Sequence, residues 1–416
     1  MTSPSIHYKE TPLLIIVIWF GGQVPDYVPQ FIASVKRNPN VNMLIPSMTN
    51  SPGLCDGDRP HTRYDGNIKY VCMTKESMLQ LFSHRMCTVW KCTQEEEEKV
   101  LQSTRRFLKT PYPAATEFKV AFADIFEEMY TEWRGRTTPF SYWLRVDMDM
   151  IMGDFSVSFP WHMLGHFDVI GLKPSYGWKG LWLSGAGAAF RLTPSVNQLW
   201  LRIAGLQTPE TYCKEFSTRT GWLGSNDEGA LGKIVVSSSD VTFIFLPHAI
   251  LQDILDKWHI DVRGDSDLKS VIYVPNEFQD REVLSFHQAH VPLNWTSTKT
   301  EHGVQVMVWW IPEAARVCVE TEEPDSIVHW NVSEVIWREK AQGEIYWSTM
   351  NNPFLSSYEF VRNGQTVKAS FLQPALFHLV TWKKIQKVKE GFRREPLGET
   401  EMITDLGGKW TITKYE

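Results

Sequence analysis

Two carboxylates, Asp147 and Asp149, are separated by one residue and follow the apolar and aromatic run 140–146. Such a run is typical of a strand buried on both faces, where side chains two residues apart point the same way. Neighbouring carboxylates repel each other, and a divalent cation between them relieves the repulsion. Oxygen donors suit Mg²⁺ or Mn²⁺, which complete their shell with water and substrate phosphates. The pair therefore predicts a metal site, with a solvated turn as the alternative.

A glycine turn follows the first apolar run of the chain. The run 13–20 is too short to span a bilayer and predicts a central parallel strand. It ends at Gly21 and Gly22, and a helical pattern follows over 27–37. In a strand, glycine turn and helix, backbone N–H groups can approach a nucleotide. The same turn also occurs in proteins that bind no ligand there, so both interpretations remain open.

Helical and strand patterns alternate through the first half of the chain, which indicates an α/β fold. The loop 50–66 is rich in turn residues and separates two of these elements. The sequence predicts helices at 27–37, 74–84, 94–108, 114–133 and 194–203, and strands at 13–20, 44–46, 140–146 and 167–172.

The pattern changes after about residue 240, where short strands and tryptophans dominate. Strands are predicted at 241–246, 271–274, 304–310, 317–319 and 333–337. We therefore divide the chain into a first domain at 1–240, a β-rich extension or insertion at 241–370, and a C-terminal segment at 371–416.

Composition limits the class of partner. The net charge of −6 gives no broad basic surface, so a nucleic-acid partner is not expected. The 18 tryptophans could stack on sugar rings or flat apolar ligands, although most tryptophans serve in packing.

The cysteines and the apolar runs bear on the compartment. None of the six cysteines forms a CxxC pair, which favours free thiols in a reducing cytosol. A disulfide among the first four cysteines is the alternative. With no membrane span and no basic flank typical of a signal peptide, we predict a cytoplasmic protein.

Several short motifs follow one another in a particular order. They are Phe20-Gly21, Glu117-Phe118-Lys119, Trp143, Asp147 to Asp154, Ser184-Gly185, Phe190-Arg191, Asn197, Asp227-Glu228, His378 and Lys383-Lys384. In this order they resemble a small family of GT-A-type (Asp-X-Asp) glycosyltransferases found in polysaccharide and capsule gene sets. The resemblance covers 13–235 and 370–390. The chain departs from it at Leu144-Arg145, where glycine often follows the tryptophan, and in a long insertion before His378.

The resemblance implies a GT-A-like Rossmann-type sheet, mostly parallel, with helices on both faces. It makes 1–240 the nucleotide-sugar-binding catalytic domain, 241–370 an extension on the acceptor side, and 371–416 a segment that returns to the active site. It implies that Asp147, Asp149 and His378 hold Mn²⁺ or Mg²⁺ against the diphosphate of a sugar nucleotide. It assigns nucleotide or diphosphate contacts to Phe20, Gly21, Gly22, Glu117, Lys119, Ser184, Gly185, Lys383 and Lys384. Asp227 or Glu228 would meet the acceptor hydroxyl, as general base if the anomeric centre inverts. If the configuration is retained, the pair would orient or stabilise the reacting groups instead, and both outcomes remain open.

We therefore expect a metal-dependent glycosyltransferase that uses a nucleotide-sugar donor, with a UDP-sugar favoured. The acceptor would be a hydroxyl of a glycan or small molecule, and the tryptophan-rich segment makes a lipophilic acceptor conceivable. Two alternatives remain: a non-catalytic carbohydrate-binding protein on the same fold, and a metal-dependent nucleotidyltransferase or phosphotransferase. The absence of a GxxxxGK[ST] loop excludes only the P-loop version of the latter.

Overall fold

A computed structural model provides the structure of the chain. It describes 13–252 except for 26, 109–116, 134–138, 154, 156–158, 175–179, 182, 184 and 219–229. Between 273 and 414 it describes single strands and the turn 340–342.

The first three helices of the chain each begin at a recognisable signal. Pro29 stands in the first turn of the first helix, while Thr74 and Thr93 cap the second and third. The third has a capping box with Glu96. The helices are α1 (Val28–Lys36), α2 (Lys75–Trp90), α3 (Gln94–Phe107), α4 (Phe122–Ile125), α5 (Glu127–Thr131), α6 (Pro194–Asn197), α7 (Pro209–Thr218) and α8 (Leu231–Ser237).

Most strands of the first half belong to one sheet. They are β1 (Leu13–Ile16), β2 (Val41–Met48), β3 (His61–Asp65), β4 (Ile68–Met73), β5 (Tyr142–Arg145), β6 (Met150–Met152), β7 (Val169–Pro174), β8 (Gly180–Leu181), β9 (Ala188–Arg191) and β10 (Phe243–Gln252). Later strands are β11 (Tyr273–Val274), β12 (Ala289–His290), β13 (Asn294–Lys299), β14 (Gln305–Trp310), β15 (Ser333–Arg338), β16 (Tyr346–Met350), β17 (Leu355–Arg362), β18 (Gln365–Leu372), β19 (Leu376–His378), β20 (Glu401–Leu406) and β21 (Lys409–Lys414).

The main sheet is mixed, so the expectation of a mostly parallel sheet is wrong. Its order is β12-β16-β15-β10-β7-β9-β5-β1-β2-β4-β3, and β19 and β6 pair off this path. Parallel pairs surround β1, whereas β3, β9, β15, β16 and β6 join their neighbours antiparallel. Sequence patterns show which residues are apolar but carry little information about strand direction.

Helices cover both faces of this sheet, as predicted. Leu14 and Ile16 belong to a core formed with α2 and α3, whereas Leu13 and Ile15 belong to a core formed with α1. The alternation along β1 explains why all four residues are buried. The chain therefore has α/β character around a central β1.

Several predicted elements are confirmed and others need correction. The predicted helices at 27–37 and 94–108 correspond to α1 and α3. The single helix predicted at 114–133 is wrong for its described residues, which form a 3-10 turn at Lys119–Ala121 followed by α4 and α5. The predicted loop 50–66 contains β3.

The second half contains strands, as the composition suggested. Every element that the structure describes after residue 240 is a strand, and β10, β15 and β16 continue the sheet that contains β1. The strand predicted at 317–319 lies outside the described residues. The domain boundaries at 240 and 370 stay a prediction.

Four cysteines form disulfides, which contradicts the expected free thiols and confirms the alternative of a disulfide among the first four. Cys55 bonds to Cys72 in β4, and Cys87 bonds to Cys92 across the turn between α2 and α3. Their sequence spacing gives no sign of this, because β2 and β4 must first pair to bring Cys55 near Cys72. Within the part of the chain that the structure describes, no helix is both long and apolar enough to cross a membrane.

A buried carboxyl in the larger core predicts a pH-dependent stability. Trp200 Nε1 donates to Asp124 Oδ2 at 2.6 Å. Burial raises the pKa of Asp124 from 3.8 to about 6, and the hydrogen bond from Trp200 opposes that rise only in part. The native state thus keeps a proton that the unfolded chain has released. We expect this group to lower the free energy of unfolding by up to about 3 kcal/mol as pH rises from about 4 through 6.

The Asp124→Asn variant should lose this dependence, because an amide accepts from Trp200 without titrating. Urea unfolding at several pH values measures it: the stability difference between variant and wild type should shift in favour of the variant as pH rises. Asp240→Asn is the control, since the hydrogen bond from Arg202 lowers the pKa of Asp240 and reverses the sign. A difference for Asp124→Asn that stays constant with pH would contradict the assignment.

Candidate functional site

The candidate site lies at the carboxyl edge of β1 and β5. Both strands are parallel to each other, and β1 also pairs in parallel with β2 on its other side. After β1 the chain continues through α1 to β2 on one side of β1, whereas β5 lies on the other side. In open α/β sheets, ligands bind at the carboxyl ends of two neighbouring strands whose connections run in opposite directions, because a crevice forms there. The glycine turn and the acidic pair follow these two strands.

The glycine turn is held against the end of β2. Trp19 N donates to Pro46 O at 3.0 Å, and Met48 N donates to Trp19 O at 3.0 Å. Gly21 and Gly22 adopt φ values of +90° and +88°, which residues that carry a side chain rarely adopt. The glycines are therefore required by the backbone of the turn itself.

We expect Gly21→Ala to destabilise the protein more than Gly22→Ala. Both pay a similar backbone strain of about 1 kcal/mol for a positive φ. A Cβ on Gly21 would also lie 3.0 Å from Met48 Cε, whereas one on Gly22 meets nothing within 4 Å. Urea unfolding of the two variants measures the difference, and equal losses would show that Met48 simply moves aside.

The acidic pair lies just beyond β5. Asp147 and Asp149 occupy the loop and turn between β5 and β6, so the expectation that strand alternation aligns them is wrong. Asp149 is 7 % exposed, and the side chain of Asp147 is 28 % exposed. Lys119 Nζ donates to Asp147 Oδ1 in a close ion pair, and the Lys119 side chain is only 12 % exposed. The structure thus brings Lys119 to the acidic pair.

An aromatic layer positions Lys119. Lys119 begins a 3-10 turn directly after Phe118, which is buried. The ring of Phe118 packs edge-on against Phe82 at 5.2 Å, and Phe82 lies 6.0 Å from Phe20 beside the glycine turn. Phe82 comes from α2 and was not singled out in the sequence. The rings therefore connect the glycine turn with the lysine that contacts Asp147.

Two side chains of α1 and its end hold the segment that follows the acidic pair. Ser34 Oγ accepts from Met152 N at 3.0 Å, in β6. Asn38 Nδ2 donates to Gly153 O at 3.0 Å, and Asn38 Oδ1 accepts from Phe155 N at 2.8 Å. Sequence reasoning missed both residues, because a serine and an asparagine at a helix end carry no sign of a distant partner.

The backbone of His378 lies beside the acidic loop. His378 in β19 is paired with Met150, the residue after Asp149, and with Gln252 in β10. Only its backbone is described. The late histidine thus reaches the segment that carries the acidic pair, across a long stretch of sequence.

Three further residues at or beside the sequence motifs are buried. Gly185 and Glu117 are buried, as is Arg145, the last residue of β5. Arg145 Nη2 donates to Leu183 O at 3.3 Å, and its guanidinium lies 5.6 Å from the Phe190 ring centroid. The departure from the family pattern at this position therefore places a buried cation two residues before Asp147.

The other candidates lie outside the described residues. These are Ser184, Asp227, Glu228, Lys383 and Lys384. Among the side chains that the structure describes, no group of three or more His, Cys, Asp or Glu residues is arranged to hold a metal ion. A metal ion bound by Asp147 and Asp149 would thus need a further ligand, from His378 or from a bound molecule.

One protein family matches the chain. A family of unknown function (DUF6625) matches residues 15–221, just under half of the sequence. The matched stretch contains the glycine turn, Lys119 and the acidic pair, and ends before Asp227. No curated protein matches the chain. The chain is thus similar to a family whose function is itself undefined.

Proposed function

We propose that the protein is a metal-dependent glycosyltransferase. It would transfer a sugar from a nucleotide-sugar donor, with a UDP-sugar favoured, to a hydroxyl of a glycan or small-molecule acceptor. The observation that carries the proposal is that a glycine turn and an acidic pair follow the carboxyl ends of the adjacent parallel strands β1 and β5, with Lys119 in contact with Asp147.

The glycine turn suits one part of the donor. Its two glycines carry no side chains of their own, and Phe20 is half-buried beside them. A backbone of this kind allows close approach of a ribose or base, and an aromatic edge can pack against a base. We therefore assign the nucleoside end of the donor to Phe20, Gly21 and Gly22.

The acidic pair suits the diphosphate end. Asp147 and Asp149 offer the oxygen donors that Mg²⁺ and Mn²⁺ prefer, and these ions usually bind through one or two carboxylates plus substrate phosphates. His378 pairs through its backbone with Met150, the residue after Asp149, and would be the third protein ligand. A bound metal would supply charge stabilisation to the departing diphosphate. Lys119 and Arg145 would add positive charge on the protein side.

The proposed transfer forms one bond and breaks another. The acceptor oxygen bonds to the anomeric carbon while the bond from that carbon to the diphosphate oxygen breaks, and the diphosphate leaves with the electron pair. The hydroxyl proton goes to a base, for which Asp227 and Glu228 remain the candidates. The buried surroundings of Asp149 would limit competing attack by water.

Incubation with Mn²⁺ and a panel of sugar nucleotides tests the proposal. Slow release of a nucleoside diphosphate, faster with a hydroxyl acceptor present, is the expected result. Release of monophosphate or pyrophosphate would replace it with a nucleotidyltransferase or phosphotransferase. No turnover of any donor together with measurable glycan binding would replace it with a carbohydrate-binding protein.

The cytoplasmic location stays a prediction, and the disulfides count against it. Disulfides persist in oxidising compartments and are rare in the cytosol. Cys55–Cys72 and Cys87–Cys92 therefore favour a protein that folds under oxidising conditions. Mapping of the free thiols in protein isolated from its native source would decide between a cytoplasmic location and an oxidising compartment.

A further inference from the structure

We propose that Lys119 makes metal binding dependent on the nucleotide, a proposal that rests on the proposed function. In the ligand-free chain the ammonium group of Lys119 would occupy the place of a cation at Asp147. A nucleoside diphosphate would draw Lys119 away and free the carboxylate for the metal. Metal and nucleotide would then bind cooperatively through one side chain.

The geometry at Asp147 supports this exchange. Lys119 Nζ contacts Asp147 Oδ1 directly, and both side chains are largely removed from solvent. A divalent ion that used the same oxygen would lie within a few ångströms of the ammonium group. Two cations so close in a poorly solvated site repel each other strongly. Metal alone must therefore displace Lys119 or accept a weakened site.

The surroundings restrict where Lys119 can go. Its backbone starts a 3-10 turn that is fixed by the buried Phe118, which packs on Phe82. Because the turn is anchored, the ammonium group can move only by rotation of the Lys119 side chain, which is flexible. Phe20, the residue before the glycine turn, packs on the same Phe82 ring at 6.0 Å. A diphosphate lying between the glycine turn and the acidic pair would thus be within reach of the lysine.

A diphosphate supplies the partner that a lysine needs after it leaves Asp147. Charge-assisted hydrogen bonds to phosphate oxygens replace the ion pair. By linkage, the factor by which the nucleotide tightens the metal equals the factor by which the metal tightens the nucleotide. The chemistry selects a nucleoside diphosphate or its sugar ester as the ligand and disfavours an uncharged nucleoside.

Calorimetry of the full chain with Mn²⁺, with and without UDP, tests the coupling. We expect UDP to tighten Mn²⁺ binding in wild type by at least about tenfold. In Lys119→Met, Mn²⁺ alone should bind about tenfold more tightly than to wild type, and the coupling to UDP should fall to the part that direct contact between the metal and the diphosphate supplies. Uridine should give no coupling in either protein.

Two variants support the comparison. Lys119→Gln repeats the test with a side chain that keeps a hydrogen-bond donor, in case methionine perturbs folding. Lys99→Met removes an exposed lysine paired with Glu95 and should leave both constants as in wild type. Unchanged Mn²⁺ affinity and unchanged coupling in both Lys119 variants would overturn this proposal while leaving the metal site intact. Absence of Mn²⁺ binding from every protein, with UDP present, would overturn the proposed function as well.

Discussion

The substitution Asp149→Asn is expected to lower donor turnover by about a thousandfold, equivalent to about 4 kcal/mol of transition-state stabilisation. Asp149 is almost fully buried beside the end of β5, so no solvent replaces the lost carboxylate charge. An amide of the same shape keeps the packing but binds a divalent ion poorly. Release of nucleoside diphosphate, at the Mn²⁺ and donor concentrations that saturate wild type, measures the effect.

Asp65→Asn is a matched control for this prediction. Asp65 ends β3 at the opposite edge of the sheet and forms an exposed ion pair with Lys36 at 2.6 Å. Its replacement should leave turnover unchanged. Wild-type turnover in a correctly folded Asp149→Asn variant would contradict a metal role for this residue.

Removal of the Cys55–Cys72 disulfide is expected to lower the free energy of unfolding by about 3 kcal/mol. The bond closes a loop with a sequence separation of 17 and ties the turn after β2 to β4. Its loss increases the conformational freedom of the unfolded chain. The double variant Cys55→Ser with Cys72→Ser, unfolded in urea, measures the change.

The same double variant should also bind the nucleotide more weakly. Met48 ends β2, and the glycine turn is held against that end of the strand.

Cys213→Ser controls for the loss of a sulfur atom. Cys213 is a free thiol in α7, and its substitution should leave the unfolding midpoint nearly unchanged. The reductant dithiothreitol should lower the midpoint of wild type by more than that of the double variant, which keeps the Cys87–Cys92 disulfide. Equal midpoints for wild type with and without reductant would contradict a disulfide at this position.

Local patterns were sufficient where one segment determines its own structure. The apolar run at β1, the caps of α2 and α3 and the acidic first turn of α3 are all written in neighbouring residues. The glycine turn is also local, because only its own φ values demand glycine. These parts of the fold and of the candidate site were predictable from sequence.

Features that depend on distant segments were not predictable. The pairing of Cys55 with Cys72, the contact of Lys119 with Asp147 and the hydrogen bonds of Asn38 all require the sheet to form first. Strand direction likewise depends on connections, which is why a mostly parallel sheet was expected and a mixed one found. The order of the motifs along the chain was the one signal that pointed to residues from different elements meeting.

The most direct test of a metal–nucleotide site at Asp147 and Asp149 is titration calorimetry of the wild-type chain with Mn²⁺ in the presence of UDP. We expect saturable binding of one metal ion, lost in Asp149→Asn and retained in Asp65→Asn. Absence of metal uptake by the wild-type chain, with UDP and then GDP supplied, would contradict the proposed glycosyltransferase site.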